Sequence, residues 1–232
     1  MEKPQYPMRI NKYMAHQGIS TRRGADELIS KKKVMINGRV AVLGDKVERD
    51  DVVELSPSIT GKKYDYFAYY KGSDETANDD KGPLITFLNK TNMFPAGQLE
   101  RGIEGLMILT NDGRLTERML SGHHEREYVI ETKKPYSLSI LKKITDGLYI
   151  ENDKTMGAKA EEINEDKFKL ILKDEKKHEV RRILSHFGYE PKEVKRTRIA
   201  NITSSGMLIG NTKPIKGAEL EKFLTLLGLR NR

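Results

Sequence analysis

A glycine-bounded loop followed by an apolar strand, within residues 94–113, constrains most strongly how this chain can fold. The loop runs from Gly97 to Gly102 and carries one carboxylate, Glu100. The apolar run 105–109 predicts a buried strand. The Asn-Asp-Gly sequence after it predicts a tight turn, because these residues tolerate left-handed backbone. A carboxylate presented on a loop next to a rigid strand is suited to act as a nucleophile or a base on a bound substrate.

The composition of the 232-residue chain favours a protein that handles a polyanion. Its length allows one good core plus a small additional domain, and the absence of cysteine excludes disulfides and thiolate metal sites. The net charge of +8 is concentrated at the ends: residues 1–63 carry 13 Lys/Arg against 8 Asp/Glu, and residues 174–232 carry 13 against 7. Charge alone is equally compatible with a solvated lysine-rich surface. Without a long apolar run or a leader-like N-terminus, we expect a cytoplasmic protein with no membrane partner.

Residues 1–55 are predicted to form a small domain of two helices and a short sheet. Helical spacing begins at Arg9, and Thr21 is a suitable N-cap for a second helix that ends near Lys32. The Asn37-Gly38 dipeptide between two apolar runs predicts a hairpin. Long basic side chains on the helix faces can reach phosphate oxygens, namely Arg9, Lys12, Arg22 and Arg23.

This N-terminal segment resembles the small RNA-binding domain named after ribosomal protein S-four. The matching motifs lie in nearly every part of the segment and in the same order, including the basic pair in Ser20-Thr21-Arg22-Arg23 and the hairpin Ile36-Asn37-Gly38-Arg39. The resemblance implies binding to structured RNA, with Asn37 and Arg39 added to the RNA-contacting residues.

A linker is predicted at residues 56–63, where turn formers and charged residues show no periodicity. The remainder, residues 64–232, mixes helical and strand patterns without strict alternation. This pattern favours an α+β domain with a mixed, mainly antiparallel sheet over a doubly wound fold. The last elements predicted are an extended segment at 194–202, a short strand at 207–209 and a closing helix at 218–227.

The chain from residue 9 to about 224 resembles the RsuA-type ribosomal RNA pseudouridine synthases, with the motifs in the same order. The loop Gly97-Gln98-Leu99-Glu100 stands where that family has Gly-Arg-Leu-Asp. Further matching segments are Glu125-Arg126-Glu127-Tyr128, Lys177-His178-Glu179-Val180-Arg181-Arg182 and Val194-Lys195-Arg196-Thr197-Arg198.

The resemblance implies a role for each matching residue. Glu100, Tyr128 and Arg181 take the catalytic positions, as carboxylate, base-packing ring and carboxylate partner. Gly97, Gln98, Leu99 and Val194 take the substrate-pocket positions. The implied RNA-binding residues of this part of the chain are Lys71, Arg182, Lys195, Arg196 and Arg198.

The implied reaction isomerises a flipped-out uridine to pseudouridine without a cofactor or metal. The implied partner is ribosomal RNA or a pre-ribosomal particle, bound by a monomer. Three positions depart from the family pattern: Glu100 for aspartate, Gln98 for arginine and Gly72 for proline. Two functions therefore stay open, an active synthase and a non-catalytic RNA-binding factor in ribosome assembly. Whether the carboxylate acts as nucleophile or as base also stays open.

Overall fold

The computed structural model describes residues 6–55, 64–75, 82–120, 124–150, 153–154, 158–173 and 178–229. The predicted linker, 56–63, lies outside these described residues.

The N-terminal unit packs two helices on short strands. Thr21 caps the second helix as predicted, because its hydroxyl accepts a hydrogen bond from the Gly24 amide at 3.0 Å. Ile10, Met14 and Ala25 pack with strand residues in its small core. Its elements are β1 (Met8–Arg9), α1 (Ile10–His16), α2 (Arg22–Ser30), β2 (Val34–Ile36), β3 (Arg39–Val40), β4 (Lys46–Val47) and β5 (Val53–Leu55).

The larger unit alternates strands and helices irregularly. Its first elements are β6 (Tyr66–Lys71), α3 (Pro83–Thr91), β7 (Phe94–Pro95), β8 (Glu104–Thr110), α4 (Gly113–Leu120), β9 (Arg126–Thr132) and α5 (Leu138–Asp146). Its later elements are β10 (Tyr149–Ile150), β11 (Asp153–Lys154), β12 (Lys159–Glu162), β13 (Lys167–Leu172), α6 (Glu179–His186), β14 (Pro191–Ile199), β15 (Ile202–Thr203), β16 (Thr212–Pro214) and α7 (Gly217–Leu226).

One large sheet organises this unit, in the strand order β12-β13-β9-β14-β8-β6-β16. Among the described strands, only β14 and β8 pair in parallel, with Arg196 opposite Gly105. The other pairs are antiparallel, which confirms the predicted α+β class with a mainly antiparallel sheet.

Strand β8 is buried on both faces, because helices cover both sides of the sheet. Leu106 and Ile108 point into a core that includes α4 and α7, whereas Met107 and Leu109 point into a core that includes α3, α5 and α6. Side chains alternate along a strand, so an uninterrupted apolar run is what a strand between two cores requires. The strand therefore holds the preceding loop on the most rigid part of the sheet.

The two units touch through arginines of α4. Arg118 Nη2 donates to the His16 carbonyl at 2.8 Å, and Arg114 Nη1 lies 3.4 Å from the Gly18 carbonyl. Both carbonyls lie at the end of α1, where helix carbonyls lack intrahelical partners. Arg114 is itself held by a buried ion pair with Asp112 at 2.8 Å. Helix α4 thus connects the N-terminal unit to the large sheet.

The predicted strand at 207–209 is wrong. Gly206 and Gly210 have φ values of +73° and +80°, so the chain turns on both sides of the segment. Leu208 and Ile209 are exposed there, and the short strand β16 follows instead, paired with β6.

Candidate active site

The Glu100 loop is closed by backbone hydrogen bonds. The Gly102 amide donates to the Ser73 carbonyl at 2.7 Å, and the Ala96 amide donates to the Ile108 carbonyl at 2.8 Å. Gly97 and Gly102 have φ values of +91° and +80°, which side-chain-bearing residues rarely adopt. Two glycines at these positions let the loop leave and rejoin the sheet with Glu100 between them.

Lys71 supports this loop from inside the protein. Its ammonium group is buried and donates to the carbonyls of Gly72 at 2.7 Å and Ile103 at 2.9 Å. Burial lowers the pKa of Lys71. The predicted direct contact between Lys71 and RNA is therefore wrong, because only 1% of the residue is exposed and its ammonium group binds two backbone carbonyls inside the protein. It ties the end of β6 to the end of the Glu100 loop.

Gly72 keeps an N–H group at the position where the resembling family has proline. This amide lies 3.4 Å from Glu75 Oε2, while Glu75 Oε1 accepts from the Tyr69 hydroxyl at 2.7 Å and from the Leu84 amide at 2.9 Å. The carboxylate of Glu75 thus links β6, the turn after it and the start of α3.

Glu100 is held by two side chains from the start of α6. Its Oε2 lies 2.7 Å from His178 Nδ1 and 3.5 Å from Arg181 Nε. The Glu100 side chain is 27% exposed, and the His178 and Arg181 side chains are each half exposed. The predicted pairing of Glu100 with Arg181 is present in this geometry.

Arg181 is also fixed by the backbone of the loop. Its Nη2 donates to the Arg101 carbonyl at 2.6 Å. A Cβ atom at Gly102 would lie 2.7 Å from the same nitrogen, so the glycine leaves the space that the guanidinium occupies. Arg181 therefore binds both the carboxylate and the backbone of the segment that presents it.

A cleft of about 690 Å³ opens beside Glu100. Tyr128 on β9 and Arg196 on β14 lie opposite each other in the sheet register and both line this cleft, with exposures of 1% and 5%. The remaining lining residues come from the loop, α4 and the start of α6: Pro95, Ala96, Gly97, Gln98, Leu99, Glu100, Arg101, Ile103, Thr116, Met119, Leu120, Arg126 and His178.

The predicted pocket residues divide into two groups. Gly97, Gln98 and Leu99 line the cleft together with Glu100. Val194 does not line it: its side chain lies in the core that Tyr128 and Ile130 share, three per cent exposed. Val194 lies opposite Ile130 in the register of β14 and β9, so it belongs to the core beneath the cleft and not to the lining of the cleft.

Of the RNA-binding residues predicted in the N-terminal unit, some are exposed and others make contacts within the unit. Arg9, Lys12, Arg22 and Arg23 are exposed. Asn37, with φ of +50°, uses its amide within the hairpin: Nδ2 donates to Asp51 at 2.8 Å and Oδ1 accepts from the Val52 amide at 2.8 Å. Arg39 pairs with Asp45 at 3.0 Å.

The basic residues predicted on β14 and α6 make contacts within the protein. Lys195 pairs with Glu104 at 3.1 Å and Glu193 at 2.8 Å, and these partners raise its pKa. Arg198 pairs with Glu125 and Glu127 and donates to the Ala200 carbonyl. Arg182 donates to the Ile150 carbonyl, and Arg196 Nε donates to the Leu106 carbonyl from inside the cleft.

His178 is the site residue that the sequence reasoning missed. From the sequence, His178 was expected to pack within the protein or to face a phosphate, and no contact with Glu100 was predicted. It adopts left-handed backbone, with φ of +60°, at the N-cap of α6. That conformation is uncommon outside glycine, asparagine, aspartate and histidine, and no local sequence pattern predicts it here.

The described part of the chain contains no cluster of three or more His, Cys, Asp or Glu residues arranged to hold a metal ion. No helix in the same residues is long and apolar enough to cross a membrane.

Comparison with known proteins agrees with this fold. Residues 8–53 match the family model for the S4 domain. A crystal structure of a pseudouridylate synthase superimposes with a TM-score of 0.66 at 23% identity, covering 93% of this chain and 99% of that one. The fold is therefore that of a pseudouridine synthase carrying an N-terminal S4 domain.

Sequence relatives narrow this class to a family. The chain is 31% identical to the dual-specificity RNA pseudouridine synthase RluF of Escherichia coli strain K12, over 97% of this chain and 81% of RluF. It is also 31% identical to the ribosomal large subunit pseudouridine synthase B of Bacillus subtilis, over 94% of this chain and 96% of the relative. The chain belongs to the RsuA-type pseudouridine synthases, a family of RNA-binding enzymes.

Proposed function

We propose that this protein isomerises uridine to pseudouridine in ribosomal RNA, with Glu100 as the reactive carboxylate. The observation that carries the proposal is that Glu100 and Tyr128 line one cleft, while Arg181 pairs with the Glu100 carboxylate. Relatives that modify the large ribosomal subunit support the choice of RNA. Under this proposal residues 1–55 and 64–232 act as RNA-binding and catalytic domains joined by a linker at 56–63.

The chemistry needs one carboxylate and a dry, shaped cleft. The uridine flips out of its stack into the cleft, next to the Tyr128 ring. The C1′–N1 bond then breaks, the uracil rotates, and a C1′–C5 bond forms, after which the proton on C5 is lost and N1 gains one. Glu100 assists either by attacking the ribose or by removing a ribose proton. Arg181 holds the carboxylate in place for either role.

RNA affinity comes from the exposed cations of the N-terminal unit. Arg9, Lys12, Arg22 and Arg23 neutralise backbone phosphates and release counterions. Helix α4 lines the cleft with Thr116, and it also contacts the end of α1 through Arg118. We propose that a monomer binds ribosomal RNA or a pre-ribosomal particle, with the N-terminal unit gripping structure near the target uridine.

The test is modification of a large-subunit ribosomal RNA transcript, mapped by carbodiimide labelling and primer extension. Wild type, Glu100→Asp and the isosteric Glu100→Gln variant are compared at equal RNA binding. A new pseudouridine made by wild type and by Glu100→Asp, and not by Glu100→Gln, is the expected result.

A second candidate, a non-catalytic RNA-binding assembly factor, is favoured by one observation, the glutamate at a position where the family has aspartate. The added methylene moves the carboxylate by roughly an ångström, and a misplacement of that size can lower a rate on the order of a hundredfold. Tight RNA binding by all proteins, with no product from wild type and product from Glu100→Asp, would establish this second function.

A further inference from the structure

His178 contacts the same carboxylate oxygen as Arg181 and does so at shorter range. Its Nδ1 lies 2.7 Å from Glu100 Oε2, against 3.5 Å for Arg181 Nε. A carboxylate only accepts hydrogen bonds, so the imidazole donates its Nδ1–H. Both contacts are made to Oε2 of the Glu100 carboxylate.

The contact depends on the length of the glutamate side chain. An aspartate at position 100 would withdraw the carboxylate by roughly an ångström, because its side chain is one methylene shorter. Without movement of the loop, the distance of 2.7 Å to His178 would then exceed hydrogen-bonding range. The imidazole can therefore contact a glutamate at this position but not an aspartate.

The backbone of α6 fixes where the imidazole lies. His178 has φ of +60° and ψ of 20° and is the N-cap residue of α6, one turn before Arg181. The Arg182 amide bonds to the His178 carbonyl at 2.9 Å, so the residue is part of the first helical turn. Both partners of Glu100 thus come from one rigid element.

We propose that His178 is a positioning residue that holds the Glu100 carboxylate in its reactive orientation. The glutamate side chain is one methylene longer than aspartate and needs this partner, whereas an aspartate at the same position would be oriented without it. The proposal rests on the proposed function, since it concerns the same site. His178 acts through Glu100: it fixes Oε2 by hydrogen bonding and directs Oε1 towards the sugar.

A matched pair of substitutions tests the donor role. Asparagine and aspartate are nearly isosteric, and both tolerate left-handed backbone, so His178→Asn and His178→Asp should fold alike. Asparagine keeps an N–H donor near the position of Nδ1, whereas aspartate places a second carboxylate against Glu100. We expect kcat within a few-fold of wild type for His178→Asn, and a loss of kcat on the order of a hundredfold at nearly unchanged KM for His178→Asp. Equal kcat values for the two variants would overturn the proposal.

A double-mutant cycle with Glu100→Asp tests whether His178 acts through the long side chain. In the Glu100→Asp background the carboxylate no longer reaches His178, so His178→Gly should change kcat by less than about twofold, against at least tenfold with Glu100 present. Glycine tolerates the same backbone, which makes it a suitable deletion. Equal losses in both backgrounds would show that His178 acts elsewhere and would refute the proposal.

A measurement that needs no turnover separates this inference from the proposed function. Long-range ¹⁵N–¹H NMR spectra report which imidazole nitrogen carries the proton, and the His178→Asn spectrum assigns the signal among the five histidines. We expect an Nδ1–H tautomer for His178 that changes in Glu100→Ala. If wild type makes no product but His178 has this tautomer, the proposed function is rejected, while the contact between His178 and Glu100 is supported. If wild type makes product, and His178 is an Nε2–H tautomer that does not change in Glu100→Ala, then only the role of His178 is rejected.

Discussion

Replacement of Gly105 by alanine should damage the sheet at the junction that carries the candidate site. Gly105 has φ of +115°, and it lies opposite Arg196 where β8 and β14 pair in parallel. A Cβ atom there would lie 2.8 Å from the Arg196 amide nitrogen and 3.0 Å from its carbonyl carbon, with its carbonyl oxygen also in contact. Backbone atoms in a central sheet cannot move aside as a flexible side chain can.

The free energy of unfolding should fall by two separable amounts. Positive φ in a residue with a side chain costs about 1–3 kcal/mol, and overpacking against fixed atoms costs about 1–3 kcal/mol more. We expect a total loss of about 3 kcal/mol, which in a protein of this size lowers Tm by roughly 6–12 °C.

A matched control isolates the steric part. Gly206 has φ of +73° with no atom within 4 Å of an added Cβ, so Gly206→Ala meets only the backbone strain, about 1 kcal/mol. Thermal melts followed by circular dichroism and urea titrations measure both variants. If Gly105→Ala is no less stable than Gly206→Ala, the close approach of β8 to β14 is not what this glycine provides.

Three further predictions concern catalysis, pH and salt. Lys71→Met should lower single-turnover rates on the order of tenfold or more, because the buried ammonium supports the Glu100 loop. RNA affinity measured by filter binding should stay unchanged. Weaker RNA binding at an unchanged rate would contradict this prediction. Burial and the hydrogen bond to Glu104 raise the pKa of Tyr70 to about 12, so its stabilisation is present below pH ~10 and is lost as pH rises from there to 12. The urea midpoint should fall over that range, and fall less steeply in Tyr70→Phe; parallel curves would show that this hydroxyl does not contribute. Replacing Arg22 and Arg23 by alanine should reduce the slope of log K against log salt by about 0.7–0.9 per lost phosphate contact, and an unchanged slope would place the RNA elsewhere.

The sequence by itself determined the fold class and the centre of the candidate site. The apolar run of β8 predicted a buried strand, and Thr21 predicted the start of α2. The glycines on both sides of Glu100 predicted a loop that presents a carboxylate, and both have the positive φ that this loop needs. These features are readable because backbone preference and side-chain alternation act between residues that are neighbours in the chain.

Only the tertiary structure decided which charged side chains face the cleft and which are used internally. Lys71 was predicted as an RNA contact, yet its ammonium group is buried and donates a hydrogen bond to the carbonyl of Ile103, just before β8. Arg198 was predicted as an RNA contact, yet it pairs with the carboxylates of Glu125, just before β9, and Glu127 on β9. Such partners cannot be predicted from local sequence, because the polar groups that pair with a charged side chain come from distant segments.

His178 shows the same limit within the site itself. Its type and its place in a matching motif were visible, but its contact with Glu100 requires left-handed backbone at the start of α6 and a loop folded back across the sheet. A contact of 2.7 Å between Nδ1 of His178 and Oε2 of Glu100 forms only once the packing of α6 on the sheet has set both positions. The sequence determined which groups are available to the site, and the packing determined which of them meet, because hydrogen bonds depend on distances of a few tenths of an ångström.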